Sequence, residues 1–448
     1  MKRLVIILSL MLLLIACSSA LDNDEKEHKD VSSETPTIDN IHTDKDIKII
    51  ENETLGKITN EYITSEGYRV IEYEDGYTTT FSPEGVLAIV KTPQSVDFKK
   101  YDDYNLEELP QEEGTEFFHD LRSRDLTRID LSNEFDYLLT ADFDDDTKWP
   151  SSVPKEYDIE KIKEYGMDPG LGIRRLHEKG ITGQGVGIAI IDQSLLVNHV
   201  EYKDRIKLYE EIHINSDSAA MHGPAVVSIA VGKSVGVAPE ADLYYIAETH
   251  GVYLEDGLDW DLYWIAKSID RIIEINEALP VDKKIRVISI SLGIDNPERK
   301  NQELVKEAIN RASNEGIYTI SVGNSLMGTG RKPLADPNDL SSYTKGHFWS
   351  DFDNYRIKRN ILVPMDSRYV ASPTGNDKYV FYYSGGMSWA VPYTAGLYAL
   401  CSQVNPNITP NEFNTAIYNT ATKVHLDDTN DEYNILNPEG LINKIKGK

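Results

Sequence analysis

Three side chains in this sequence are of the types that turn an alcohol into a nucleophile. Ser388 stands in Gly385-Gly386-Met387-Ser388-Trp389-Ala390-Val391-Pro392, His222 opens His222-Gly223-Pro224-Ala225-Val226, and Asp192 follows the apolar run Val186-Gly187-Ile188-Ala189-Ile190-Ile191. A serine hydroxyl attacks a carbonyl when an imidazole takes its proton. A carboxylate on the other ring nitrogen fixes the tautomer and stabilises the imidazolium that forms. The expected chemistry is acyl transfer, with Asp192 as orienter, His222 as base and Ser388 as nucleophile. A lone Asp after a strand is more often a cap or turn residue, so the assignment rests on all three together.

Local context supports each role. The early proline of the His222 segment and the Pro392 that follows Ser388 both suit the first turns of helices, which sets His222 and Ser388 at helix starts. Gly385-Gly386 lets backbone and substrate approach closely. Amide N–H groups at a helix start point at an oxyanion forming on the attacked carbonyl. Asn324, in Ser321-Val322-Gly323-Asn324 at another strand end, could add a side-chain donor.

The elements that must position these residues alternate. Val186–Ile191, Asp242–Ala247, Arg286–Ile290 and Ile317–Val322 read as strands. Between them, Leu262, Ile265, Ala266, Ile269, Ile272 and Ile273 recur at helical spacing before Pro280, and Leu304, Val305, Ala308, Ile309 and Ala312 do so before Gly316. Such alternation predicts an α/β fold, a doubly wound, mostly parallel sheet with helices on both faces. Active groups then gather at the carboxyl ends of the strands.

The chain of 448 residues is long for one average domain, and 40% apolar against 27% charged residues is ordinary for a globular protein with a real core. A formal charge of −28 argues against nucleic acid as a partner, which would need a basic footprint. Only Cys17 and Cys401 are present, and Cys401 falls in the apolar stretch Leu397-Tyr398-Ala399-Leu400-Cys401, expected as a buried helix. That leaves no disulfide framework and no structural zinc site, and no other metal site can be assigned.

Met1-Lys2-Arg3 precedes an apolar run, Leu4–Ala16, that is too short for a comfortable membrane span. Its end, Leu14-Ile15-Ala16-Cys17, resembles the bacterial lipoprotein box. That resemblance implies a signal peptide over residues 1–16, an acylated Cys17 inserted in the lipid bilayer, and an extracytoplasmic protein anchored at the bacterial cell membrane. Residues 17–45 are polar and charged and read as a flexible tether. Residues 46–150 form a small N-terminal β-rich region, in which Lys57–Thr59, Tyr68–Tyr73, Tyr77–Phe81 and Val86–Val90 read as antiparallel strands. It could be a pro-segment, an exosite or a spacer. The run Asp142-Phe143-Asp144-Asp145-Asp146 reads as a solvated face or cleavable linker in preference to a calcium site.

Taken with Gly183-Gln184-Gly185-Val186, Ser291-Leu292-Gly293 and Gly323-Asn324, the Asp192, His222-Gly223 and Gly386-Met387-Ser388 segments resemble the subtilases, the subtilisin-like serine peptidases, over residues 157–445. The triad order of that family is Asp, His, Ser. The resemblance implies a subtilisin-like peptidase domain over residues 151–448, with Asn324 as oxyanion donor and Ser291, Leu292 and Gly293 lining the cleft against an extended peptide or protein substrate. It implies no required cofactor; calcium often stabilises relatives, but no ligand set can be mapped. Gln193 and Ser194 stand where the family has a small hydroxyl residue and a glycine. Pro224 replaces a threonine, and Met387 and Trp389 replace smaller residues. None of these changes removes a proton-transfer group.

Rival motifs fail. His199 lies seven residues after Asp192 without a helix start and reads as a surface or packing histidine. Gly183-Gln184-Gly185-Val186-Gly187 precedes a strand instead of following one, Gly232-Lys233-Ser234 lacks the first glycine of a phosphate loop, and Gly386-x-Ser388-x-Ala390 lacks the last glycine of a hydrolase elbow. Two functions remain. One is a surface-anchored serine endopeptidase working through an acyl-enzyme; the other is a catalytically silent subtilase-fold lipoprotein that binds peptides, favoured by Gln193, Pro224 and Trp389.

Overall fold

A computed structural model describes residues 57–63, 69–73, 78–81, 87–89, 106, 108–110, 119–214, 218–254, 257–296, 299–323, 326–346, 360–426 and 431–447. The expected signal peptide, Cys17 and the tether lie outside these residues. The β-rich region does form an antiparallel sheet, β1 (Ile58–Ile63), β2 (Arg69–Tyr73), β3 (Thr78–Phe81) and β4 (Leu87–Ile89), in meander order. Two further short strands follow, β5 (His119–Asp120) and β6 (Ala141–Asp144), paired in parallel.

Beyond them lies the parallel sheet that the alternation predicted. Its strands are β7 (Gly187–Asp192), β8 (Ile206–His213), β9 (Asp242–Glu248), β12 (Ile285–Gly293) and β13 (Tyr318–Val322), ordered β13-β12-β7-β9-β8. A hairpin of β10 (Gly251–Leu254) and β11 (Gly257–Trp260) rises just after β9. Successive strand residues face opposite ways. Ile188, Ile190, Leu243 and Tyr245 therefore enter one core, and Ala189, Ile191, Tyr244 and Ile246 enter the other. Helices α1 (His222–Val231) and α4 (Met387–Val404) cover the first face, and α2 (Tyr263–Ala278) and α3 (Gln302–Asn314) the second. α4 is apolar all round and almost entirely buried, Cys401 included, as a helix at the centre of a core must be.

A second sheet, ordered β15-β14-β16-β20-β19, is built from β14 (Leu326–Arg331), β15 (Tyr343–Thr344), β16 (Ile361–Pro364), β19 (Thr422–His425) and β20 (Glu432–Ile435). A third, ordered β17-β18-β6-β5, joins β17 (Arg368–Ala371) and β18 (Tyr379–Tyr382) to the early strands. Phe143 of β6 stacks on Phe381 of β18 at 5.1 Å, and both share a core with Leu121, Leu138, Tyr157 and Ile162. That core spans the boundary expected at residue 150, so residues 119–150 pack as part of the α/β unit.

The acidic run is not a linker, and two of its carboxylates are buried instead of solvated. Asp142 and Asp144 are each 2% exposed. Asp142 accepts the Tyr383 N–H at 2.7 Å, Asp144 accepts the Ser123 N–H at 2.8 Å and its hydroxyl at 2.7 Å, and Asp145 accepts the Tyr379 N–H at 2.9 Å and the Tyr369 hydroxyl. Composition alone misleads here because a carboxylate surrounded by protein donors is as well satisfied as one in water. Among the described residues no group of three or more His, Cys, Asp or Glu side chains could hold a metal ion.

Candidate active site

Asp192 is the last residue of β7 and fully buried, in register with Ala247 of β9. His222 is the first residue of α1 and 9% exposed. Its Nδ1 lies 2.7 Å from Oδ1 and 2.9 Å from Oδ2 of Asp192, which leaves Nε2 as the ring nitrogen without a hydrogen bond among the described residues. Asp192 Oδ1 also accepts the Gln193 N–H at 2.8 Å. The approach of α1 to β7 needs Gly223. A Cβ there would sit 2.7 Å from the Tyr245 hydroxyl and 2.8 and 3.0 Å from the carbonyls of Gln193 and Ser194. Tyr245 in turn donates to the Gln193 carbonyl, which ties down the residue after Asp192.

Ser388 is the second residue of α4, and it is half-buried. Gly386 before it adopts φ 63° and ψ 176°, backbone that a side chain would make costly. Further along the helix, Pro392 has no N–H, so the Ser388 carbonyl four residues back loses its intrahelical donor. Ser291 fills the gap: its hydroxyl donates to that carbonyl at 2.9 Å, and the Ser388 hydroxyl donates to the Ser291 carbonyl at 3.3 Å. Among the described residues this is the hydroxyl's hydrogen bond, and it does not reach His222. Trp389, 3% exposed, fills core and meets the His222 ring edge to face at 5.4 Å. The residue after Ser388 thus packs on His222.

The remaining expected positions divide. Ser291 and Leu292 are buried and Gly293 is half-buried at the carboxyl end of β12, with the Leu292 side chain committed to the core. That leaves their backbone as the part a peptide could meet. Asn324 lies outside the described residues. His199 is a packing histidine, fully buried, bonded through Nε2 to the Lys378 carbonyl at 2.9 Å and stacked on Tyr202; burial holds its imidazole below the usual pKa.

One neighbouring group escaped the sequence reading. Glu248, fully buried at the end of β9, accepts the His250 N–H at 2.7 Å and its Nδ1 at 2.6 Å, with His213 Nδ1 at 3.6 Å. Burial opposes the charges of this pair. The opposite charge of Glu248 nonetheless raises the imidazole pKa of His250, with Asp192 contributing, and His250 lowers that of Glu248. The available signal was positional: Glu248 follows its strand as Asp192 follows β7.

The sequence model of the subtilase family matches residues 183–437. The chain is 22% identical over 348 residues to the subtilisin-like protease PopC of Myxococcus xanthus (strain DK1622), which covers 69% of this chain and 71% of the relative. It is 27% identical over 248 residues to a subtilisin-like protease of Coccidioides posadasii, covering 53% of this chain and 56% of that one. Subtilisin-like protease 3 of Pseudogymnoascus destructans is 25% identical over 271 residues, 58% of this chain and 62% of the relative. The chain therefore spans less than two thirds of the two fungal proteins. Among solved structures it is similar to the prenylagaramide maturation protease PagA, with a TM-score of 0.44 at 19% identity over 62% of this chain and 99% of that one. It is also similar to the PatG macrocyclase in complex with peptide, with a TM-score of 0.45 at 15% identity over 62% of this chain and 96% of that one.

Proposed function

Because this chain belongs to the subtilase family of serine-type peptidases, we propose that Asp192, His222 and Ser388 hydrolyse peptide bonds through an acyl-enzyme. The observation that carries this reading is the double contact of His222 Nδ1 with the buried Asp192 carboxylate, which orients Nε2 as the base. The Ser388 hydroxyl turns from the Ser291 carbonyl to Nε2, gives up its proton and attacks the scissile carbonyl. Hydrogen bonds at such sites commonly form only with substrate in place. The Ser388 amide and the Asn324 side chain hold the tetrahedral oxyanion, and His222 returns the proton to the leaving amine. A water activated by the same imidazole then releases the acyl group. The backbone of Ser291, Leu292 and Gly293 pairs with an extended substrate, and no cofactor enters these steps.

A fluorophosphonate probe tests this. Labelling at Ser388, lost in Ser388→Ala along with peptide cleavage while the melting temperature holds, is the expected result. Folded protein that takes up no label and cleaves nothing favours the silent peptide binder.

The chain's place in the cell is proposed on the Leu14–Cys17 box. Cleavage before Cys17 and its acylation anchor the enzyme outside the cytoplasm. Among the described residues no helix is long and apolar enough to cross a membrane. Metabolic labelling with a fatty acid, abolished in Cys17→Ser, is the expected outcome; an unlabelled protein free in the medium rejects the anchor.

A further inference from the structure

Arg299 is a buried cation with no counter-ion among the described residues. It is 6% exposed, its guanidinium lies 4.4 Å over the ring of Trp260, and it donates to the Gly293 carbonyl, while its Nε has no acceptor. Among the described residues no carboxylate pairs with it. Among the described acids around it, Asp259 is engaged by Lys300, Asp261 by Asn301 and the Tyr263 N–H, and Glu248 by His250, while Asp295 is exposed. Two other buried arginines are better provided. Arg331 reaches four carbonyls, those of Tyr165, Lys332, Ala335 and Ser367, and both Arg331 and Arg368 feel the charge of Asp168. Desolvation brings the pKa of Arg299 down to about 10, which keeps it charged at neutral pH. His250 is close enough for the two positive charges to repel.

Position gives this excess charge a use. Gly293 is two residues beyond Ser291, whose carbonyl accepts from the Ser388 hydroxyl; the register of β12 is irregular between Ile290 and Gly293, so at about 3.3 Å per residue the guanidinium's anchor lies within roughly 7 Å along β12. Trp260 comes from the hairpin that follows β9, at the same strand ends that carry Asp192. A buried charge is costly until an opposite charge meets it.

We propose that Arg299 receives the carboxylate of a glutamate or aspartate in the substrate, within three residues of the scissile bond, making the enzyme selective for acidic peptides. The proposal rests on the peptidase reading above and names its substrate class. It also explains a cationic spot in a chain of formal charge −28, whose overall field would otherwise repel such substrates.

The test uses matched fluorescent peptides carrying Glu, Gln or Lys at each of the three positions on either side of one cleaved bond. The full chain should cleave one Glu peptide about ten- to hundred-fold faster, as kcat/KM, than its Gln twin, the range of a desolvated charged hydrogen bond. Arg299→Gln should bring that ratio to about one, and Arg299→Lys should keep part of it. A role confined to stapling the hairpin lowers all peptides alike in Arg299→Gln and leaves the ratio unchanged, which overturns the proposal. So does a wild-type ratio of one at every position. Binding of the same peptides to Ser388→Ala, read by fluorescence anisotropy, gives the ratio without catalysis. An inactive wild type whose Ser388→Ala form still prefers Glu sinks the peptidase reading and spares the acidic site; equal binding of Glu and Gln sinks the site.

Discussion

Ser291 and Ser388 hold each other by exchanging hydrogen bonds, hydroxyl to carbonyl in both directions, at 2.9 and 3.3 Å. The exchange joins the end of β12 to the start of α4, and it exists because Pro392 withholds the donor that would ordinarily claim the Ser388 carbonyl. The strand end and Ser388 are thereby set in one frame.

Ser291→Ala should cost about 1–3 kcal/mol, the penalty of an orphaned buried carbonyl, and lower kcat. In a Pro392→Ala background the helix can supply its own N–H, so the cost of Ser291→Ala should shrink. A double-mutant cycle on denaturant unfolding measures the coupling, and strict additivity contradicts the account.

Gly223→Ala forces a methyl group against two backbone carbonyls and the Tyr245 hydroxyl. We expect a loss of about 1–3 kcal/mol and a larger fall in kcat, because α1 can relieve the clash only by moving His222 off Asp192. Unchanged turnover in a destabilised variant would falsify the positional role of Gly223.

Trp389→Ala should destabilise by about 3–5 kcal/mol through the cavity left behind. Trp389→Phe should be milder, since it keeps a ring near His222 and removes a buried indole N–H that has no acceptor. Melting temperatures rank the two, and the opposite ranking counts against this packing.

The Glu248–His250 pair predicts a pH window. The folded pKa of His250 is raised, so its contribution is full below the unfolded value of about 6.5 and is lost as pH rises through the folded value. That of Glu248 is lowered, so its contribution is present above the unfolded value and lost as pH falls through the folded one. The stability gap between wild type and Glu248→Gln, about 3–5 kcal/mol for a broken buried pair, should be widest between these limits and narrow on both sides. Unfolding curves from pH 4 to 9 read it, and a flat gap rejects the pair.

Asp142, Asp144 and Asp145 tie residues 119–150 to Tyr379–Tyr383, the strand that leads into Gly385–Ser388. If the N-terminal region is trimmed on maturation, the new N-terminus should fall before His119. A chain starting at residue 151 should be insoluble, with the edge of β18 bare. N-terminal sequencing of active enzyme checks this.

Much of this protein was written locally. Strand-length apolar runs, helical spacing of Ile and Ala, and the glycines and prolines around His222 and Ser388 are properties of short segments, and they suffice for the α/β order and for the catalytic candidates. What local pattern cannot carry is the choice of partner. Asp192 and Glu248 end neighbouring strands alike, and only the packing of α1 brings His222 to the first while the backbone after β9 folds His250 onto the second. The acidic run shows the same limit: its charges suggest water, yet pairing with β18, more than two hundred residues away, buries Asp142 and Asp144 among donors. Hydropathy and propensity act over a few residues, but whether a charge is satisfied depends on which distant groups the closed fold sets beside it.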